Sequence, residues 1–95
     1  MNIKKLMKQA QEMQEQMQER LKTVEVEGSA GGGVVKVTVN GHKEVLKVLL
    51  DPEILKPEDK EMVEDLVLAA AKDAQEKAEA QVQGMLGAMT GGLGF

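Results

Sequence analysis

Residues 24–74 carry the clearest structural signals in the chain: V-E-V-E-G-S-A-G-G-G-V-V-K-V-T-V-N-G-H-K-E-V-L-K-V-L-L-D-P-E-I-L-K-P-E-D-K-E-M-V-E-D-L-V-L-A-A-A-K-D-A. Residues 24–27 and 34–39 place valines at alternate positions, and a period of two predicts β-strands. Residues 45–50 predict a third strand, with Leu46, Val48 and Leu50 on one face. The glycine-rich residues 28–33 predict a connection between the first two strands. Asn40-Gly41 predicts a hairpin between the second and third strands, because both residues tolerate positive φ.

Helices are predicted on both sides of the strands. Residues 2–22 are good helix formers without Gly or Pro, and their apolar side chains have the spacing of a short coiled coil. These positions are Ile3, Leu6, Ala10, Met13 and Met17. Asp51-Pro52-Glu53 has the composition of a helix start, and Pro57 begins a second long helix that we predict over 58–84. The glycine- and methionine-rich residues 85–95 predict a flexible tail.

These elements predict one domain over residues 1–84, with its strands within 23–50. Its class is α+β, with the order α-β-β-β-α and a small antiparallel sheet flanked by two long helices.

The composition predicts a homodimer. The chain has 95 residues, and its one aromatic residue is Phe95, so a single copy buries little surface and no large aromatic core. The predicted sheet has one apolar face, and its other face is also partly apolar. Val34, Val45 and Leu49 are expected on this second face. We therefore predict that these three side chains form the contact with a second copy.

The charge is distributed unevenly along the chain. The formal net charge is −4, yet the first ten residues contain Lys4, Lys5 and Lys8 and no acidic residue. Lysines can neutralise phosphates without reading bases, so this cluster is a candidate contact for duplex DNA. The alternative interpretation is an ordinary solvated helix face. Aromatic side chains that stack single-stranded bases are missing from this part of the chain.

The remaining motifs predict no catalytic residues, metal or cofactor. The chain has no Cys and only His42 as histidine, which argues against disulfides and transition-metal sites. The glycines of 28–33 precede a strand rather than the helix that a phosphate-binding loop requires. The acidic residues of 58–65 fit a solvated helix face near a helix start. A secretory signal and a long apolar segment are not seen, so we expect a cytoplasmic protein without membrane contact.

Two other functions stay open from the residues alone. The apolar stripe of the first helix and the Met-rich tail could dock onto another protein, such as a replication or recombination factor. Ile3, Leu6 and Met7 also oppose the three lysines, as in a helix that lies on a membrane surface, although the Gln- and Glu-rich continuation weakens this interpretation.

Four segments together resemble the YbaB/EbfC family of bacterial nucleoid-associated proteins. They are V-E-G-S-A-G-G-G-V-V-K-V-T-V-N-G (26–41), L-D-P-E-I-L (50–55), P-E-D-K-E-M-V-E-D-L (57–66) and T-G-G-L-G (90–94). The resemblance covers nearly the whole chain. It implies a dimer joined through its sheets, with helices that project like the arms of tweezers.

The same resemblance implies a non-enzymatic, double-stranded DNA-binding protein of the cytoplasm and nucleoid that alters DNA conformation and influences gene expression. Lys4, Lys5 and Lys8 then lie toward the arm tips, with Lys72 and Lys77 farther along the other helix as further DNA contacts.

Overall fold

The structure, a computed structural model, describes residues 2–90 and the side chains of residues 2–88. The elements in chain order are α1 (Ile3–Thr23), β1 (Glu25–Ala30), β2 (Val35–Asn40), β3 (Val45–Leu50) and α2 (Lys60–Thr90). Two short 3₁₀ turns, Pro52–Ile54 and Pro57–Asp59, connect β3 to α2. The predicted α+β class and the order α-β-β-β-α are confirmed.

The sheet is antiparallel, with the strand order β1-β2-β3. Val37 lies opposite Val48, as the alternating pattern predicts. A bulge after Thr38 then shifts the register, so that Val45 lies opposite Val39. Side chains of opposed residues share a face, and Val45 therefore lies on the face of the buried β2 valines.

This register separates the three residues that the sequence analysis placed together. Leu49 lies opposite Lys36, on the face away from Val45. Val34 packs against the hydrophobic core. The expectation of one face formed by Val34, Val45 and Leu49 was wrong, because the bulge changes the side on which Val45 projects.

The core lies between the sheet and α2. Val35, Val37 and Val39 are fully buried, together with alanines four residues apart on α2. These alanines are Ala70, Ala74 and Ala78. Alanine at this spacing gives α2 a flat stripe along which the strand valines pack closely. The buried core residues are Val and Ala, which agrees with the low aromatic content of the sequence.

Strand β1 runs through Gly28, which the sequence analysis had assigned to a connection. A Cβ on Gly28 would lie 2.2 Å from the Ala74 amide nitrogen, so only glycine permits this approach of strand to helix. The connection itself is shorter than predicted. Gly31, Gly32 and Gly33 form it with φ of 64°, 75° and 97°, where glycine has no steric penalty.

The hairpin between β2 and β3 is present, but the positive φ expected at Asn40 and Gly41 is not. Among the described residues, Lys43 is the one non-glycine residue with a positive φ, at 65°. The Asn40 side chain organises the turn instead: its Oδ1 accepts hydrogen bonds from the backbone amides of His42 and Glu44, at 2.9 and 3.0 Å. Asparagine favours turns because its side chain can bond to the backbone in this way. We call residues 41–44 the β2–β3 turn.

Helix α2 is longer than predicted. The sequence predicts its end at residue 84 and a flexible tail over 85–95, but the helix continues through Thr90. Single glycines at 84 and 87 cost about 1 kcal/mol each in a helix, and the methionine, leucine and alanine residues around them favour helix. Residues 91–95 lie outside the described part of the chain.

The folded chain is elongated, and both helices leave the sheet at the same end. Its Cα dimensions are 68 × 25 × 15 Å and its radius of gyration is 18.7 Å, against about 12 Å for a compact chain of this length. Helix α1 ends beside Glu25, which pairs with Asn40 next to the β2–β3 turn. Gln75 of α2 contacts the same turn, and the rest of α2 continues past it. We call residues 3–17 the α1 arm and residues 80–90 the α2 arm.

Candidate nucleic-acid interface

The strongest positive cluster lies at the free end of the α1 arm. Asn2 caps this helix, with its Oδ1 accepting from the Lys5 amide at 3.3 Å. Lys4, Lys5 and Lys8 are exposed, and no ion pair engages them within residues 2–90. Lysines at a helix start oppose the helix dipole rather than stabilise the helix. We call these three residues the basic tip.

The three lysines of the basic tip lie on one face of α1. At 100° per residue, its lysines point to the side opposite Ile3, Leu6 and Met13. Farther along α1, the same face carries acidic residues instead. These are Glu12, Glu15 and Glu19. A polyanion that approaches this face therefore meets attraction only over the first two turns of the helix.

The structure separates Lys72 and Lys77 from the basic tip. Both lie where α2 passes the sheet, and the Lys77 ammonium is already paired with Asp73 at 3.0 Å. From Lys8 to the sheet end of α1 at Thr23 is about 22 Å along the helix. Within one chain, the two predicted groups of DNA-binding lysines therefore form no single cluster.

Asp73 joins α2 to the sheet. Its Oδ2 accepts from the Ser29 backbone amide at 3.0 Å and from Lys77. The hydrogen bond from Ser29, followed by that from Lys77, holds the pKa of this carboxyl below its ordinary value. This role is not predictable from the sequence, because a Ser and an Asp 44 residues apart carry no pairing signal.

Strand β3 is exposed along its whole length. Val45 is 51%, Leu49 46% and Val48 44% exposed. Helix α2 covers β1 and β2 but leaves this edge strand open. An apolar edge strand with free backbone groups is a surface that proteins normally cover.

His42 lies in the β2–β3 turn and is half-buried rather than fully exposed. Its Nε2 lies 3.4 Å from the Gln18 carbonyl oxygen of α1. Within residues 2–90, no group of three His, Cys, Asp or Glu side chains has the arrangement of a metal site. No helix in this part of the chain is long and apolar enough to cross a bilayer.

The fold and the basic tip define a small α+β protein with projecting helices and a surface suited to a polyanion. Residues 1–93 match the YbaB/EbfC DNA-binding family. The chain belongs to this family, which confirms the family predicted from the sequence.

Relatives and a solved structure agree with this assignment. The chain is 46% identical over 96 aligned positions to a protein of Chloroflexus aurantiacus named a nucleoid-associated protein, covering 98% of this chain and 96% of that one. It is 47% identical to a protein of the same name from Acetivibrio thermocellus, covering 98% and 85%. The crystal structure of the uncharacterized protein HP0035 from Helicobacter pylori superimposes with a TM-score of 0.76 at 25% identity, covering 94% and 97%.

Proposed function

We propose that this chain is a nucleoid-associated protein of the cytoplasm that binds duplex DNA as a homodimer and alters its conformation without catalysis. The observation that carries the proposal is the basic tip, a set of three unpaired lysines at the end of an exposed helix in a chain of a DNA-binding family. The nucleoid-associated names of its relatives support the location.

The basic tip fits the sugar-phosphate backbone better than base edges. Lysine is a flexible point charge that attracts phosphate without the fixed geometry needed to identify a base. The positive end of the α1 dipole adds to the same attraction. The acidic residues farther along α1 confine the contact to the tip. Binding by this mechanism is sensitive to salt and weakly dependent on sequence.

The exposed β3 strand supports the homodimer. Its apolar side chains on the face of the buried β2 valines are Val45, Val48 and Leu50. A second copy that covers this face would bury the apolar surface that a lone protomer leaves in water. Of the three interface residues predicted from the sequence, only Val45 lies on this face.

A homodimer would bring two basic tips to one duplex. Each α1 arm is about 23 Å long, enough to hold its tip away from the sheet. Two rigidly spaced groups of cations favour DNA whose phosphates match their spacing. DNA that bends or is bridged to reach both tips pays a deformation energy that the added contacts offset. This is the proposed origin of the change in DNA conformation.

Single-molecule tethering tests this function. A duplex of a few hundred base pairs tethered to a bead is exposed to the protein at low salt, and the bead's excursion is recorded. We expect wild-type protein to reduce the excursion, through bending or bridging. A variant in which Lys4, Lys5 and Lys8 are all Ala should leave it unchanged. An equal reduction by both proteins would contradict a contact through the basic tip.

The apolar stripe of α1 supports a second candidate function. Ile3 is 67%, Met13 61% and Leu6 50% exposed, so a helix of another protein could pack on this side. Capture from a nuclease-treated lysate separates the two candidates. A partner retained without DNA, and lost when Leu6 and Met13 are changed to Gln, would favour the interaction module.

A further inference from the structure

The β2–β3 turn contacts both helices where they leave the sheet. On the α1 side, the Gly41 amide donates to the Leu21 carbonyl oxygen, with N···O of 2.8 Å. A Cβ on Gly41 would lie 2.7 Å from that same oxygen and 3.0 Å from the Leu21 Cα. The turn and the last part of α1 are therefore in backbone contact at this point.

On the α2 side, the contacts of the turn run through Lys43. Its carbonyl oxygen accepts from the Gln75 side chain at 3.2 Å, and its ammonium lies 3.5 Å from the Glu79 carboxylate. Both partners belong to the last turns of α2 before the α2 arm begins. The four residues of the β2–β3 turn therefore contact both α1 and α2 close to the sheet, where the two helices begin to project.

Hydrogen bonds of the Asn40 side chain stabilise the turn. Asn40 is 5% exposed, and in addition to its two backbone contacts it donates from Nδ2 to the Glu44 carboxylate at 3.0 Å. A buried, hydrogen-bonded side chain holds a turn in one conformation. Otherwise α1 has little support, since none of its residues is buried.

We propose that the β2–β3 turn is the positioning element of the DNA grip, with Gly41 setting the direction of the α1 arm relative to α2. This inference rests on the proposed function, because the direction matters only if the basic tip contacts DNA. Gly41 and Lys43 themselves need no contact with nucleic acid for this role. They act through α1. Because this helix is long, a small displacement at Leu21 becomes a displacement of a few ångströms at the basic tip.

Gly41→Ala tests the proposal directly. Gly41 is not among the residues with positive φ, so alanine is compatible with its backbone and the main effect is the contact with Leu21. Gly84→Ala is the matched control, since nothing lies within 4 Å of a Cβ there. The chain has no Cys, so spin labels can be attached at Gln11→Cys on α1 and Ala69→Cys on α2. Dilution with unlabelled protein restricts the measured distances to one protomer.

Without DNA, Gly41→Ala should shift or broaden the distance between the two labels by a few ångströms, and Gly84→Ala should leave it unchanged. With DNA, Gly41→Ala should weaken binding by about tenfold at low salt and make log K less steep against log salt, because fewer phosphates are neutralised at once. Simple destabilisation would lower the fraction of active protein without changing that slope.

A second variant keeps the proposal testable if Gly41→Ala does not fold. Lys43→Ala with Gln75→Ala removes both side-chain contacts to α2 and introduces no steric clash. It should change the label distance and the salt slope in the same directions. An unchanged distance in the folded variants would overturn the positioning role, as would an altered distance with unchanged affinity and slope. Failure of the proposed function gives a different result. In that case the variant with Lys4, Lys5 and Lys8 changed to Ala would bind DNA as tightly as wild type, whatever the Gly41→Ala distances show.

Discussion

Gly28 and Ala74 bring strand β1 and helix α2 into backbone contact. A Cβ on Gly28 would lie 2.2 Å from the Ala74 amide nitrogen and 2.5 Å from the Ala70 carbonyl oxygen. These atoms belong to the helix backbone and cannot move aside as a side chain can. The glycine therefore fixes how closely the sheet and α2 approach, and the buried valines of β2 depend on that distance.

Gly28→Ala should destabilise the protein by about 1–3 kcal/mol, the usual cost of overpacking a core. Urea denaturation followed by circular dichroism measures the change. Gly84→Ala is the control, because its methyl meets no neighbour within 4 Å and should stabilise the helix by about 1 kcal/mol. Equal stability of Gly28→Ala and wild type would show that strand and helix are not in contact here.

Val48→Glu should shift the protein from dimer to monomer. The change places a charge on the exposed apolar face of β3 that we propose a second copy covers, and burial of an unpaired charge is strongly unfavourable. Leu49→Glu makes the same change on the other face, beside Lys36, and should have a smaller effect. Sedimentation velocity over a range of concentrations distinguishes the states. Monomer formation by Leu49→Glu alone would place the interface on the opposite face.

Asp73 should make stability depend on pH in the acidic range. Its folded-state pKa lies below the ordinary value because the carboxylate accepts from Ser29 and Lys77. A depressed folded pKa contributes stability above the unfolded pKa, and this contribution is lost as pH falls through the folded pKa. Asp73→Asn should therefore be less stable than wild type at pH 7, with a difference that shrinks below about pH 4. Urea midpoints for both proteins between pH 7 and pH 2.5 measure this. A constant difference would exclude a contribution from the Asp73 charge.

Lys72 and Lys77 should contribute less to DNA binding than the basic tip. Lys77 is engaged by Asp73, and acidic Glu76 and Glu79 are near neighbours of Lys72 along the helix. Changing both Lys72 and Lys77 to Ala should weaken duplex binding by less than about threefold, because these two cations neutralise few phosphates. Fluorescence anisotropy with a labelled duplex measures the affinity. A loss as large as that of the tip variant would make α2 a main contact surface.

The sequence predicted the elements better than their contacts. Alternation and turn residues identified all three strands, because period-two patterning depends only on which side of a strand faces the core. The Asn40-Gly41 hairpin was correct, but its turn chemistry was not: Asn40 acts through its side chain, and Gly41 is needed for contact with Leu21. That requirement comes from a residue 20 positions away and leaves no local signal.

The candidate site was predictable in composition and not in arrangement. The cluster of Lys4, Lys5 and Lys8 is visible in the first ten residues. The length of α1 and the pairing of Lys77 with Asp73, which itself bonds to Ser29 of the sheet, place Lys77 apart from the basic tip. The bulge that moves Val45 to the other face also had no local signal, since an extra residue in one strand is defined only by its partner.

The DNA contact through the basic tip is tested by the salt dependence of duplex binding, measured for wild type and for the variant with Lys4, Lys5 and Lys8 changed to Ala. A control with Lys22, Lys56 and Lys60 changed to Ala removes the same charge from other exposed positions. We predict for wild type a negative slope of log K against log salt of about 0.9 per phosphate neutralised. The tip variant should bind more weakly with a shallower slope, and the control should stay near wild type. Equal affinity and slope for wild type and the tip variant would contradict a DNA contact through the α1 tips.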